Sequence, residues 1–400
     1  GSSMSAVNAE YFAKLQKALK RAGLAEPVLV VDRQRLDANI RQLKTMLPAD
    51  MGFRIVAKSL PCGPLLAHIA TRAATDRLMS FNAAMALQML ELMPRADQLM
   101  GKPLPVAAVS GMFGALPARK RAAAARQIQF LVDTPQRVME MRKLARRQKL
   151  PLRINLEIDV GLHRGGMEPG AALGKVLDAL VTTSDLKLTG LMGYEPHLSK
   201  IPKLEGWRNR ARKGAAAVYR AARAQLAARY TPADIANMTF NMAGSPTFGL
   251  YTSTTHANEI SAGSALVKPG DFDLPILKAF QPAAFIATPA LKVSRGIRLP
   301  ALEYANNLPG KPKSGTTIFI HGGYWMAHPV FPGRLKNSTL FGRSSNQEML
   351  VGPARTNLAV DDFVFLRPTQ SEAVFLQFPK IAVFDGRRIA DIWSPLPVSA

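Results

Sequence analysis

The chain has 400 residues, enough for two domains or for one large barrel with an appended module. Its 48% hydrophobic content excludes wholesale disorder, and no apolar run reaches the roughly 18 residues that a membrane-spanning helix needs. The single cysteine excludes an internal disulfide, and the formal net charge of +24 would suit a polyanionic partner. Because no signal-peptide core follows Met4, we expect a cytoplasmic protein that does not bind membranes.

The first element in chain order is a helical arm over residues 1–24. Short apolar runs then alternate with helical segments, a pattern that predicts βα units with parallel strands. Eight strands in about 240 residues match the size of a (β/α)8 barrel. The predicted strands are 27–32, 52–58, 77–81, 105–109, 128–133, 152–159, 186–194 and 238–244.

The alternation stops after Ser264, and short strands broken by proline and glycine follow. The sequence therefore predicts an α/β protein with a barrel domain over residues 25–267 and a β-rich, all-β domain over residues 268–400. The strands predicted in the second domain are 290–294, 316–321, 363–366, 373–378 and 381–384.

The basic residues concentrate in alanine-rich segments, among them 119–121, 142–149 and 208–213. Apolar residues recur between the charges at the three-to-four spacing of an amphipathic helix. We therefore expect these charges on the solvent faces of outer helices. A nucleic-acid groove would add aromatic residues for base stacking, and these segments contain few. The pattern favours a protein that binds no nucleic acid.

Lys58 ends the mostly apolar predicted strand 52–58. The active site of a (β/α)8 barrel lies at the carboxyl ends of its strands, so Lys58 is expected at the mouth of the barrel. It is either a snorkelling surface lysine or a partly desolvated amine that forms a Schiff base with a carbonyl compound. The lysine alone leaves both interpretations open.

Glycine-rich segments follow other predicted strands. Residues 157–166 read EIDVGLHRGG, in which glycines around Arg164 permit close approach to a ligand, although an ordinary turn with a solvent arginine fits equally well. Residues 241–247 read NMAGSPT, at a position where such barrels bind phosphate through backbone N–H groups. Ser264 adds a hydroxyl near the same end. A lysine, an arginine and a phosphate turn together indicate pyridoxal phosphate.

The chain also carries EPVLVVD at residues 26–32, GLMGYEPHL at 190–198 and EISAGSALV at 259–267. In this order, with the lysine strand and EIDVGLHRGG, the motifs resemble the D-threonine aldolase and D-serine dehydratase family over residues 27–393. The resemblance implies a fold type III enzyme with an alanine-racemase-type (β/α)8 TIM barrel and a C-terminal all-β domain. It further implies pyridoxal phosphate as cofactor, a small-molecule amino-acid substrate and a homodimer.

By the resemblance, Lys58 in RIVAKSLPC, residues 54–62, is the Schiff-base lysine. His197 stands where the family often has a histidine near the substrate. The resemblance places Arg164 beside the cofactor ring and Tyr194 at a strand end. The candidate cofactor-binding residues are Lys58, Arg164, Tyr194, Gly244, Ser245, Thr247 and Ser264.

The sequence departs from this family in a metal-binding element near its C-terminus. Family members carry Pro-x-His-x-Cys or Pro-x-His-x-Asp, whereas residues 368–373 read PTQSEA and place Gln370 and Glu372 at the ligand positions. An amide oxygen is a poor zinc ligand, although Gln370 and Glu372 together would bind magnesium or manganese weakly. The chemistry on the substrate side is therefore expected to differ, while the cofactor side is kept.

The expected activity is that of a pyridoxal-phosphate-dependent lyase that cleaves the Cα–Cβ bond of D-β-hydroxy amino acids through Lys58. If no metal assists, His197 or Glu372 is the candidate catalytic acid or base. Two alternatives keep the cofactor: an amino-acid racemase or epimerase, and a D-serine-type dehydratase. A further alternative is a non-catalytic cofactor-binding protein.

Overall fold

A computed structural model describes residues 2–161, 163, 165–193, 205–242, 256–297, 313–338 and 342–396. The chain divides into two compact units. One comprises Ile40–Ala265 with Leu396–Ala400, and the other comprises Gly1–Asn39 with Leu266–Pro395. The predicted helical arm is confirmed as α1 (Ser2–Arg21), and it is followed by strand β1 (Val28–Asp32).

The first unit contains a closed barrel of eight strands, each of which pairs in parallel with the next along the chain. The last strand pairs in parallel with the first and closes the barrel. The predicted (β/α)8 architecture is therefore confirmed. The barrel strands are β2 (Gly52–Val56), β3 (Arg77–Ser80), β4 (Asp97–Met100), β5 (Ile128–Val132), β6 (Leu152–Glu157), β7 (Leu186–Gly193), β8 (Thr239–Met242) and β9 (Glu259–Ala262).

Two of the eight predicted barrel strands are wrong. β1 belongs to the sheet of the second unit, and residues 105–109 lie largely in a helix that begins at Val106. The barrel uses β4 and β9 instead. The periodicity of a short apolar run does not distinguish a strand from a buried helix. The four-residue strand β4 contains two polar residues, so its sequence does not show the apolar pattern of a buried strand.

Helices surround the barrel, and most of the basic residues predicted on their solvent faces at 119–121 and 142–149 are exposed. The side chains of residues 208–212 lie outside the described part of the chain. In helix α7 (Pro135–Gln148), the hydroxyl of Thr134 caps the N-terminus by accepting a hydrogen bond from the N–H of Arg137. One face of this helix is buried and consists of Val138, Met141, Leu144 and Ala145. The basic residues Lys143, Arg146 and Arg147 are exposed. In the described part of the chain, no helix is both long and apolar enough to cross a bilayer. In the described part of the chain, the helices after α1 are α2 (Arg33–Met46), α3 (Gly63–Ala73), α4 (Ala83–Leu92), α5 (Val106–Ala115), α6 (Ala118–Gln127), α7 (Pro135–Gln148), α8 (Ala171–Val181), α9 (Glu205–Ala227), α10 (Pro232–Ala236) and α11 (Ser371–Leu376).

The amino-terminal half of the barrel interior is polar. The buried guanidinium of Arg54 donates to both carboxylate oxygens of Glu259, at 2.5 and 3.1 Å, and to Asp97 at 2.9 Å. Arg77 also donates to Glu259, and Arg153 donates to Asp97. Burial alone would lower the pKa of Arg54, but the charges of Glu259 and Asp97 outweigh it and raise that pKa. The ions therefore compensate one another inside the barrel.

The second unit contains a mostly antiparallel sheet in the order β13-β14-β11-β10-β1-β16-β17, with β15 paired to both β10 and β12. α1 packs on this sheet through Phe12 and Leu15, which join a core of phenylalanine and aliphatic side chains. The predicted β-rich domain is therefore confirmed in its fold. Its strands are β10 (Ala284–Ile297), β11 (Lys313–Ile320), β12 (Ala327–Phe331), β13 (Lys336–Asn337), β14 (Met349–Gly352), β15 (Phe363–Pro368), β16 (Ile381–Phe384) and β17 (Ile389–Trp393).

The predicted strand 373–378 is wrong, because residues Ser371–Leu376 form α11. Within this helix, the apolar residues Val374 and Phe375 are buried, and the neighbouring Leu376 is exposed. A short run of apolar residues suits either structure, and packing decides between them. The sequence analysis also predicted none of the strands β12, β13, β14 and β17.

Replacing the buried guanidinium of Arg54 should lower the free energy of unfolding of the barrel. Arg54→Met leaves the carboxylate of Glu259 buried with less compensation, and we expect a loss of about 3–5 kcal/mol in the free energy of unfolding. Chemical denaturation followed by circular dichroism measures it. Arg146→Met is the control, because Arg146 pairs with Asp185 while 60% of its side chain is exposed, and it should change little. Equal effects of both substitutions would contradict a stabilising role for the buried network.

Candidate active site

Lys58 lies at the carboxyl end of the barrel, directly after β2. Residues Ala57–Ser59 turn out of the strand as a single 3₁₀ turn, which leaves the Lys58 side chain partly buried. Its Nζ atom lies 4.9 Å from the centre of the Phe81 ring, which follows β3 and is 8% exposed. The amine therefore has an aromatic face on one side, an arrangement that stabilises its cation and excludes water there.

Gly101, at the end of β4, makes room for the Phe81 ring. A Cβ atom at this position would lie 2.3 Å from one ring carbon and 3.0 Å from the sulfur of Met79. Only a residue without a side chain permits this packing. The apolar surface beside Lys58 therefore depends on a glycine two strands away.

The chain after β9, the strand that closes the barrel, lies close to residues 56–59, the segment that carries Lys58. A Cβ atom on Gly263 would lie 2.8 Å from the carbonyl oxygen of Val56 and 3.1 Å from the Cβ of Ser59. Ser264, a predicted cofactor ligand, directly follows this glycine and begins a 3₁₀ turn. The structure therefore brings the segment of Ser264 against the segment of Lys58, on neighbouring strands.

Two carboxylates lie at the same end of the barrel. A Cβ atom on Gly165 would lie 3.7 Å from Oδ2 of Asp133 and 3.8 Å from Oε2 of Glu157, and both acids are partly buried. Glu157 belongs to the motif that the sequence singled out, whereas Asp133 is a candidate residue that the sequence analysis did not name. Its position directly after a buried strand, β5, is the signal that would have identified it.

Six predicted site residues lie outside the described part of the chain. Neither the expected contacts of Arg164 with the cofactor ring nor the role of His197 near the substrate is tested by the geometry. These assignments remain predictions. The six residues are Arg164, Tyr194, His197, Gly244, Ser245 and Thr247.

The predicted metal ligands Gln370 and Glu372 lie in the second unit, at the start of α11. Gln370 is the residue before this helix, and Glu372 lies in its first turn rather than in an exposed strand. Among the described histidine, cysteine and acidic residues, Glu372 is not part of a group of three whose ligand atoms lie close together. One amide and one carboxylate form a donor set that does not fit a dedicated metal centre.

The described residues define a (β/α)8-barrel protein with a lysine at the mouth of the barrel and an aromatic ring against its amine. The family model described as "Alanine racemase, N-terminal domain" matches residues 31–269. The chain therefore belongs to this family, whose members are fold type III pyridoxal-phosphate enzymes. A search of curated protein sequences found no match.

Solved structures share the fold over nearly the whole chain. D-threonine aldolase from Filomicrobium marinum is 15% identical, with a TM-score of 0.69 over 93% of this chain and 97% of that one. Alanine racemase from Clostridium difficile 630 is 14% identical, with a TM-score of 0.69 over 92% and 98%. D-threo-3-hydroxyaspartate dehydratase from Delftia sp. HT23 is 16% identical, with a TM-score of 0.70 over 93% and 98%. At these identities the likeness shows the fold alone.

Adding a methyl group at Gly263 should displace the lysine segment. Because the nearest atom belongs to the backbone of Val56, we expect Gly263→Ala to cost about 1–3 kcal/mol in the free energy of unfolding. Gly111→Ala is the control, since a Cβ atom at that position in α5 would meet no atom within 4 Å apart from its own stretch of helix, and alanine there should stabilise slightly. Chemical denaturation of both variants tests the difference. A neutral Gly263→Ala would show that the two segments are not in close contact.

Proposed function

We propose that the protein is a pyridoxal-phosphate-dependent lyase that cleaves the Cα–Cβ bond of D-β-hydroxy amino acids. The observation that carries the proposal is the amine of Lys58, at the carboxyl end of the barrel and 4.9 Å from the Phe81 ring. Membership of the alanine racemase N-terminal domain family supports the cofactor. The motif order, which resembles D-threonine aldolase, supports the reaction.

The described residues fit pyridoxal phosphate. A primary amine at the mouth suits covalent attachment of an aldehyde, and Phe81 provides apolar surface beside it. Because Gly263 has no side chain, the segment that carries Ser264 lies close against the segment that carries Lys58. Lys58 would hold the cofactor covalently, and Ser264 would contribute to its phosphate site. When bound, the cofactor supplies an electron sink for negative charge at Cα.

Lys58 has a second task once the substrate binds. With the cofactor and an amino-acid substrate bound, the Lys58 amine would take or return a proton at Cα. The Phe81 ring excludes water from one side of this amine. A proton must also leave the β-hydroxyl before the Cα–Cβ bond breaks. We assign the removal of this proton to the carboxylate of Asp133, which adds a candidate to the two that the sequence predicts, His197 and Glu372.

Dehydration and racemisation remain the second candidates, because they use the same lysine and cofactor. The donor set of Gln370 and Glu372 favours neither, and we assign no step to a metal there. Each reaction has its own products. A lyase releases glycine and an aldehyde, a dehydratase releases a 2-oxo acid and ammonia, and a racemase yields the opposite enantiomer. We further propose a cytoplasmic homodimer, in accordance with the resemblance.

Removing the Lys58 amine should abolish covalent cofactor binding. After incubation with pyridoxal phosphate and reduction with borohydride, mass spectrometry should find one cofactor mass added at Lys58. Lys58→Ala should lose this adduct. Lys102→Ala is the matched control, because Lys102 is an exposed lysine after β4, at the same end of the barrel, and it should keep the adduct. An adduct that persists in Lys58→Ala would overturn the assignment.

The reaction is tested on the cofactor-loaded protein with D- and L-threonine, D-serine, D-3-hydroxyaspartate and D-alanine. We expect glycine and acetaldehyde from D-threonine, and little product from L-threonine. Asp133→Asn should lower the turnover number by about 10²–10⁴-fold if Asp133 moves the hydroxyl proton. A 2-oxo acid with ammonia, or an enantiomer without cleavage, would replace the lyase with a dehydratase or a racemase.

A further inference from the structure

The chain directly after Lys58 is buried before it enters the next helix. The 3₁₀ turn that carries Lys58 is followed by residues 60–62, all three of them buried, and α3 begins at Gly63. The N–H of Leu60 donates to the carbonyl of Ala57 at 3.2 Å and ties this stretch to the turn. A displacement of residues 60–62 would therefore be transmitted to Lys58.

A part of the chain that is distant in sequence is bonded to this stretch. The N–H of Leu396 donates to the carbonyl of Pro61 at 2.7 Å. Leu396 is also 5% exposed, so it is packed against the protein as well as hydrogen-bonded to it. Both residues belong to the unit that contains the barrel. The hydrogen bond and the burial together fix Pro61 from outside its own stretch of chain.

The sequence around Leu396 favours this single docking contact. Leu396 stands between Pro395 and Pro397, neither of which has a backbone N–H. Leu396 therefore carries the one backbone donor of the three residues, and this donor bonds Pro61. The proline that follows disfavours the helical region for Leu396. Docking of Leu396 consequently loses less conformational entropy than docking of a flexible segment would.

The burial of Pro61 makes this hydrogen bond consequential. A buried backbone carbonyl without a partner is unfavourable by an amount comparable to a lost hydrogen bond. Without the N–H of Leu396, residues 60–62 would open toward water more often. The ladder between β2 and β9, which closes the barrel, would remain. Lys58 lies between that ladder and residues 60–62, so the chain on one side of it would be released.

We propose that Leu396 is a positioning residue for Lys58. Its N–H and its buried side chain hold residues 60–62 in place and thereby keep the amine beside Phe81. The effect on cofactor attachment rests on the proposed function. The docking of Leu396 does not, because it is a property of the chain without cofactor.

The single cysteine reports on the docking, because Cys62 directly follows Pro61. The thiol is buried, and burial raises the pKa of Cys62 to about 11, so iodoacetamide reacts mainly when the stretch opens. The full-length protein is labelled without cofactor or substrate, and mass spectrometry follows the reaction. Leu396→Pro removes the N–H, and Leu396→Ala keeps it but removes most of the side chain. We expect both to raise the labelling rate by about tenfold.

Two further variants separate this effect from a general loosening of the protein. Leu396→Met keeps the size and the apolar character of the side chain and should label at the parent rate. Leu376→Ala is the matched control, since Leu376 is 41% exposed in α11, and it should also label at the parent rate. Circular dichroism establishes that each variant is folded. Hydrogen exchange should rise in the peptide that covers residues 57–62 and stay at the parent level in β5.

The role toward Lys58 is measured through the cofactor adduct. In Leu396→Pro the ring occupies the place of the N–H hydrogen and displaces the carbonyl of Pro61, so the resting position of Lys58 changes. The pyridoxal phosphate concentration that half-saturates the borohydride-reduced adduct should therefore rise by at least about threefold, and Leu396→Met should restore the parent value.

Equal labelling of the parent protein, Leu396→Pro and Leu396→Ala would overturn the docking. Faster labelling with unchanged half-saturation in Leu396→Pro would overturn the positioning role. If the parent protein forms no adduct at Lys58, the proposed function fails. Hydrogen exchange at residues 57–60 would still decide whether Leu396 holds the turn that carries Lys58, since unchanged exchange in Leu396→Pro would overturn it.

Discussion

The pairing of β2 with β9 is the contact on which the barrel and its candidate active site both depend. Four residues of each strand pair in parallel, from Gly52 with Glu259 to Ile55 with Ala262, and this ladder closes the eight-stranded barrel. The buried ion pair of Arg54 and Glu259 joins the same two strands. Backbone hydrogen bonds and opposite charges thus secure one junction, and Lys58 follows it directly.

The two ends of the barrel interior differ in chemistry. The amino-terminal part is filled by a compensated network of arginines, acids and amides, instead of the branched aliphatic layers usual in such barrels. Charges in this network are satisfied within the protein and are committed to structure. At the carboxyl end, Lys58 faces an aromatic ring, and the carboxylates of Asp133 and Glu157 both lie near Gly165. Reactive groups are therefore separated from the groups that hold the barrel closed.

The architecture and its lysine were predictable because they leave local patterns. Alternating strands and helices indicated the barrel, and a lysine after an apolar strand indicated a residue at its mouth. Membership of the strands was less predictable. β4 contains two polar residues, Asp97 and Gln98, whose side chains form hydrogen bonds inside the protein. Because these residues break the apolar pattern of a buried strand, the sequence predicts a strand at residues 105–109 instead. β1 has the apolar sequence of a barrel strand but pairs with β10 and β16.

The sequence by itself determined the periodicity of the elements, the family and the position of Lys58, because these are carried by residues adjacent in the chain. Only the tertiary structure decided which strands close the barrel, that Phe81 lies against the lysine amine, and that Gly101 and Gly263 must lack side chains. It also brought Asp133 to the same end as Glu157. Such contacts join residues far apart in sequence, and their geometry is set by strand register and packing, which no local pattern encodes.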